Sequence, residues 1–131
     1  MEALAKTIEA IVEGDLSGMV IVRAAPHDEL LGAVAKRQPL IVSRVALVRV
    51  LESWRSGLFS AEEVQQWASF VRRGYVSGCE LGEVIPILID YDIKDEELIV
   101  EIIGRFDSIG DRVDGKIDAY EQEEILRLLR I

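Results

Sequence analysis

The chain has 131 residues, half of them apolar, with a mean hydropathy of +0.20 and a formal charge of −9 from 15 basic and 24 acidic side chains. That length suits one domain over residues 1–131 with a core that needs no staple, and the single cysteine, Cys79, has no partner for an internal disulfide. The longest apolar runs, such as Met19–Val22 and Leu40–Val42, fall far short of the roughly 20 residues of a membrane helix, and Glu2 and Glu9 stand where a signal peptide is basic, so the expected location is the cytoplasm.

Residues 2–13 read as a helix with Leu4, Ile8, Ile11 and Val12 on one side and Gly14 closing it. Residues 15–18 are turn-like. Met19-Val20-Ile21-Val22 is β-branched enough to leave a short strand open near 19–22, although no second clear strand offers it a partner. Pro26 in a first-turn position introduces a helix through Leu30, Leu31, Val34 and Ala35, ending near residues 36–39, and Leu40–Val42 lead to Ser43 as the next N-cap.

Residues 45–73 predict two helices folded back on each other. Leu47, Leu51, Trp54 and Leu58 share one helical face; Gly57 supplies a stop, and Ser60 with Glu63 forms a capping box that starts the second arm. Val64, Trp67, Ala68 and Val71 line that arm, so the two stripes are expected to bury against one another, with Trp54 and Trp67 as anchors in the core.

Beyond the hairpin, Arg72 to Cys79 is a loop whose two arginines suit a helix C-terminus. Glu80 to Asp90 reads as a helix with Pro86 in its first turn or at a kink, burying Val84, Ile85, Leu88 and Ile89. Asp92 or Lys94 then precedes Asp95-Glu96-Glu97, an acidic first turn ahead of Leu98, Ile99, Ile102, Ile103 and Phe106. Residues 107–116 form a loop, and Asp118 with Glu121 caps a last helix carrying Ile125, Leu128 and Leu129. The expected fold is an all-α compact helical bundle around a central antiparallel hairpin.

The charge is unevenly placed. Residues 1–55 carry seven side chains of each sign, whereas residues 80–124 carry 15 carboxylates against Lys94, Arg105, Arg112 and Lys116, a local net of −11. Such a surface repels nucleic acid and anionic membranes and speeds docking of a basic protein.

The stretch Phe106 to Glu121 has the sound of a calcium loop between helices. An EF-hand needs oxygen ligands at its first, third and fifth positions, Gly at the sixth, a hydrophobe at the eighth and Glu at the twelfth. Setting Gly115 at the sixth position places Asp114, Ile117, Asp118 and Glu121 well, but puts Gly110 and Arg112 where the first two ligands belong. Starting at Asp107 makes the loop too long. One histidine and one cysteine leave no zinc set, and His27 is too remote in sequence from Cys79, and set among acids, to suggest a nucleophile and base. Acid pairs such as Asp90 and Asp92 carry no catalytic signal among so many carboxylates. No enzymatic constellation, metal site or cofactor is expected.

The segment Val42 to Ala68 resembles small bacterial helical proteins that include immunity proteins of contact-dependent growth inhibition and other polymorphic toxin systems. The shared pattern is a helix ending in Trp and Gly, a Ser or Thr cap, and an acidic turn leading to Trp-Ala, matched by Trp54, Gly57, Ser60, Glu62, Glu63, Val64, Trp67 and Ala68. The similarity extends over roughly 42–131; where the group commonly continues with Glu, Arg and Asp, this chain has Ser69 to Tyr75. The resemblance implies a non-enzymatic protein that binds and neutralises a cognate, basic, nuclease-type toxin. Asp90, Asp92, Asp95, Glu96, Glu97, Asp107, Asp111 and Asp114 are the expected contact region. The alternatives are an EF-hand-like calcium module and an acidic helical adaptor.

Overall fold

The structure, a computed structural model, describes residues 2–35, 39–76, 85–111 and 115–130. The chain is mostly helical: α1 (Glu2–Val12), α2 (Met19–Ala24), α3 (His27–Val34), α4 (Arg44–Arg55), α5 (Ala61–Arg73), α6 (Glu96–Asp107) and α7 (Ala119–Leu129). Two three-residue strands, β1 (Leu40–Val42) and β2 (Ile89–Tyr91), pair in parallel with Leu40 opposite Ile89 and Val42 opposite Tyr91.

Helix starts are set by side chains that accept otherwise orphaned N–H groups. Ser43 accepts from the Ala46 N–H, Asp118 from the Glu121 N–H, and Ser60 and Glu63 exchange both bonds of a capping box. Asp15 and Asp92 cap the short 3-10 turns at Leu16–Gly18 and Ile93–Asp95 in the same way.

Helix α5 is the centre of the molecule. Val64, Trp67, Ala68, Ser69, Phe70 and Val71 are all buried, so the helix is covered on several sides rather than along one stripe. For that reason the two arms of the hairpin do not rest chiefly on each other, as the sequence suggests: α5 packs mainly on α6, and α4 mainly on α7. The tryptophans follow their helices. The Trp67 indole N–H donates to the Ile11 carbonyl of α1 at 2.7 Å, and Trp54 meets Phe106 of α6 edge-on with ring centroids 6.1 Å apart. Leu58 is exposed.

Two local expectations give way. Met19–Val22 lies in helix α2, where Met19 and Val22, three residues apart, are buried while Val20 and Ile21 face out. The helix expected over 80–90 is not found in its described part. Residues 85–88 are irregular and 89–91 are β2; Ile87 is buried, but Ile85 and Leu88 are exposed. Pro86 removes a helical donor there, and the Ile87 N–H donates instead to the Gly74 carbonyl at 2.8 Å. Val84 lies outside the described residues. No described helix is long and apolar enough to cross a membrane.

Candidate functional site

Strand β1 turns Leu40 and Val42 into the core, against α1, and alternation leaves Ile41 facing out. Ile41 stands opposite Asp90 on β2, which is also exposed. The backbone N–H of Asp92 donates to the Val42 carbonyl at 2.9 Å, extending the pairing by one step, and the chain then turns through Ile93–Asp95 into α6.

This connection gathers five of the expected carboxylates at one end of the molecule. Ile41, Asp90, Tyr91, Asp92, Ile93 and Glu96 line a shallow groove of about 490 Å³. Its apolar floor is unusually open to solvent, since Ile93 is 85% exposed and Ile41 49%. Glu96 and Glu97 occupy the first turn of α6, where the helix N-terminus favours negative charge. Asp92 caps the preceding turn through the Lys94 N–H at 3.2 Å, and Asp95 lies 3.7 Å from Arg44. Among the described residues no cationic side chain pairs with Asp90, Asp92, Glu96 or Glu97.

The remaining three do not join them. Asp107 ends α6, about 17 Å from Glu96 at a helical rise of 1.5 Å per residue. Its side chain is only 5% exposed, with Arg72 at 2.9 Å and Arg73 at 2.8 Å on one oxygen and the Gln65 amide on the other. A partner has no access to that carboxylate, so it drops out of the contact region. Asp111 is exposed past the end of α6, and Asp114 lies outside the described residues.

Arginines also silence much of the rest of the acidic half. Arg55 reaches Glu123 at 2.6 Å, Arg127 pairs with Glu124, and Arg105 holds Glu121. What sequence reading missed is therefore which acids stay unpaired, and that Ile41 and Ile93 lie among them. Three apolar residues in a row at Leu40-Ile41-Val42 gave no sign of which one would face out.

The other chemistry-bearing residues are engaged structurally. His27 is buried; its Nε2 lies 2.6 Å from the Ile85 carbonyl, which requires that nitrogen to donate, and its ring meets Tyr75 edge-on. Cys79 lies outside the described residues. No three His, Cys, Asp or Glu side chains among the described residues form a metal-sized cluster. The chain matches no family model, no curated protein and no solved structure.

Proposed function

We propose that this is a non-enzymatic, immunity-type protein that acts in the cytoplasm by covering the basic surface of a protein toxin. The observation that carries the reading is the groove of Ile41 and Ile93 rimmed by Asp90, Asp92 and Glu96, carboxylates with no cationic partner among the described residues. Desolvating exposed isoleucines supplies non-directional affinity, and the acidic rim supplies orientation and a fast encounter with a basic surface. Asp95, 3.7 Å from Arg44, adds less free charge than the rim carboxylates. The resemblance of residues 42–68 to immunity proteins of polymorphic toxin systems supports the same reading, and the toxin class it implies, commonly a nuclease, presents the basic surface required.

The test is the double variant Asp90→Lys with Glu96→Lys, which leaves the Asp92 cap intact. Against the product of the adjacent toxin gene, association should slow by about tenfold or more at low salt and lose most of its salt dependence, with circular dichroism unchanged. Undiminished association and full protection of cells by this variant would refute the assignment.

A further inference from the structure

A second groove runs along the other side of α6. Because α6 rests on α5 and α7 rests on α4, the two helices diverge and leave a cleft of about 540 Å³ between them. Leu98 and Ile102 on α6 and Ile125 and Leu128 on α7 line it, each pair one helical turn apart. The Arg105 and Glu121 side chains close one end by pairing with each other.

Gly104 also lines this cleft, in the middle of α6. A glycine inside a helix is less favourable than alanine, so its presence calls for a reason. Neither backbone angle nor packing supplies one: its φ is not positive, and a Cβ built there meets no atom within 4 Å. The fold does not need the missing side chain. A bare backbone in the wall of an open apolar cleft is, however, what close approach of another chain requires.

We infer that the α6–α7 cleft receives an amphipathic helix of the basic partner, packed against Gly104. The cleft lies between two helices, and aliphatic rows one turn apart on both walls suit the ridges of a third. Glu101 lines its α6 wall and Glu97 lies one helical turn before it, both exposed and without cationic partners among the described residues, so the incoming helix is one with lysine or arginine along its flank. A second copy of this chain is disfavoured by the same charges, which would face their like. The inference rests on the reading of a basic protein partner and adds a second contact to it.

The probe is a synthetic helical peptide with leucines at i, i+4 and i+7 and lysines on its flanks, compared with the same peptide carrying glutamate for lysine. On the isotope-labelled full chain, the lysine peptide should shift the amide resonances of Leu98, Ile102, Gly104 and Leu128, and the glutamate peptide should not. Gly104→Ala should raise the melting temperature yet weaken the lysine peptide by about tenfold, as a crowded contact does, and Gly104→Leu should abolish its binding. Asp90→Lys with Glu96→Lys should leave the peptide's affinity within about threefold, which separates the two surfaces. Unchanged binding by Gly104→Ala, equal binding of both peptides, or shifts confined to residues outside the cleft would overturn the inference while leaving the Ile41 surface untouched. Normal toxin association by the double-lysine variant would overturn only the earlier reading.

Discussion

Arg105 grips Glu121 with two hydrogen bonds, from Nε to Oε2 at 2.5 Å and from Nη2 to Oε1 at 2.8 Å, tying the last turn of α6 to the first turn of α7. The same Nη2 donates to the Lys116 carbonyl at 2.9 Å, so one guanidinium binds both α7 and the segment that leads into it. Glu121 is the residue an EF-hand would need as its bidentate ligand, and here both its oxygens are taken. Millimolar calcium is therefore expected to leave the melting temperature unchanged, as a scan with and without the ion would show. Arg105→Lys keeps the charge but loses the planar fork. It should cost about 1 kcal/mol, read as a fall of roughly 4 °C in melting temperature.

The two tryptophans predict different losses. Trp67 is fully buried and donates to the Ile11 carbonyl, which also accepts the Gly14 N–H, so Trp67→Phe loses one buried hydrogen bond and leaves a small void, costing about 1–3 kcal/mol. Trp54 is half-buried, and its contact with Phe106 is an edge-on aromatic one that phenylalanine largely keeps, so Trp54→Phe should cost about 1 kcal/mol or less. Urea unfolding of the two variants measures the difference. Equal losses would mean that the Trp67 hydrogen bond contributes nothing.

Most of the helical frame was legible because its signals are local. Ser43, Ser60 with Glu63, and Asp118 cap helices through bonds to residues three positions on, and each was recognisable from spacing alone. The β1–β2 pair was not, because Leu40 and Ile89 meet across nearly fifty residues and neither segment is long enough to show a strand period. In Met19–Val22 the β-branched content suggested a strand, but burial of Met19 and Val22 on one helical face decided the outcome. The site divides in the same way. The crowding of Asp90 to Glu97 was visible as charge, whereas the arginines that neutralise Asp107 and Glu123 come from α4 and α5, and only the packing of those helices brings them there.

Tyr91 gives the fold an alkaline limit. Burial pushes its hydroxyl above the usual 10; nearby Arg72 pulls it down, and Asp107 raises it again. Below pH 10 the phenol is protonated in folded and unfolded chains alike, and its contribution to stability is fully present. Above that, the unfolded chain releases a proton that the folded chain retains, so stability falls as pH rises through the folded value. Tyr91→Phe should flatten this fall between about pH 9 and about pH 11 in urea unfolding, and should remove the late component of the phenolate absorbance titration. A parallel fall in both proteins would assign the alkaline loss elsewhere.

Gly74 and Gly57 both lie just past a helix with positive φ, at +81° and +85°, yet they should respond very differently to alanine. At Gly57 a Cβ meets nothing within 4 Å, so Gly57→Ala costs only the left-handed backbone, about 1 kcal/mol. Gly74 closes α5 with its N–H on the Phe70 carbonyl and also lets the returning chain pass close by, so a Cβ there would lie 2.3 Å from the Ile87 carbonyl oxygen. That neighbour is backbone and cannot swing aside. Gly74→Ala therefore adds a crowding cost of about 1–3 kcal/mol to the backbone term and pushes buried Ile87 outward, just ahead of β2. Urea unfolding should show the larger loss at Gly74, and amide exchange at residues 89–91 should accelerate in that variant alone. Equal destabilisation, with β2 equally protected in both, would mean that the chain at Ile87 does not pack against Gly74 in solution.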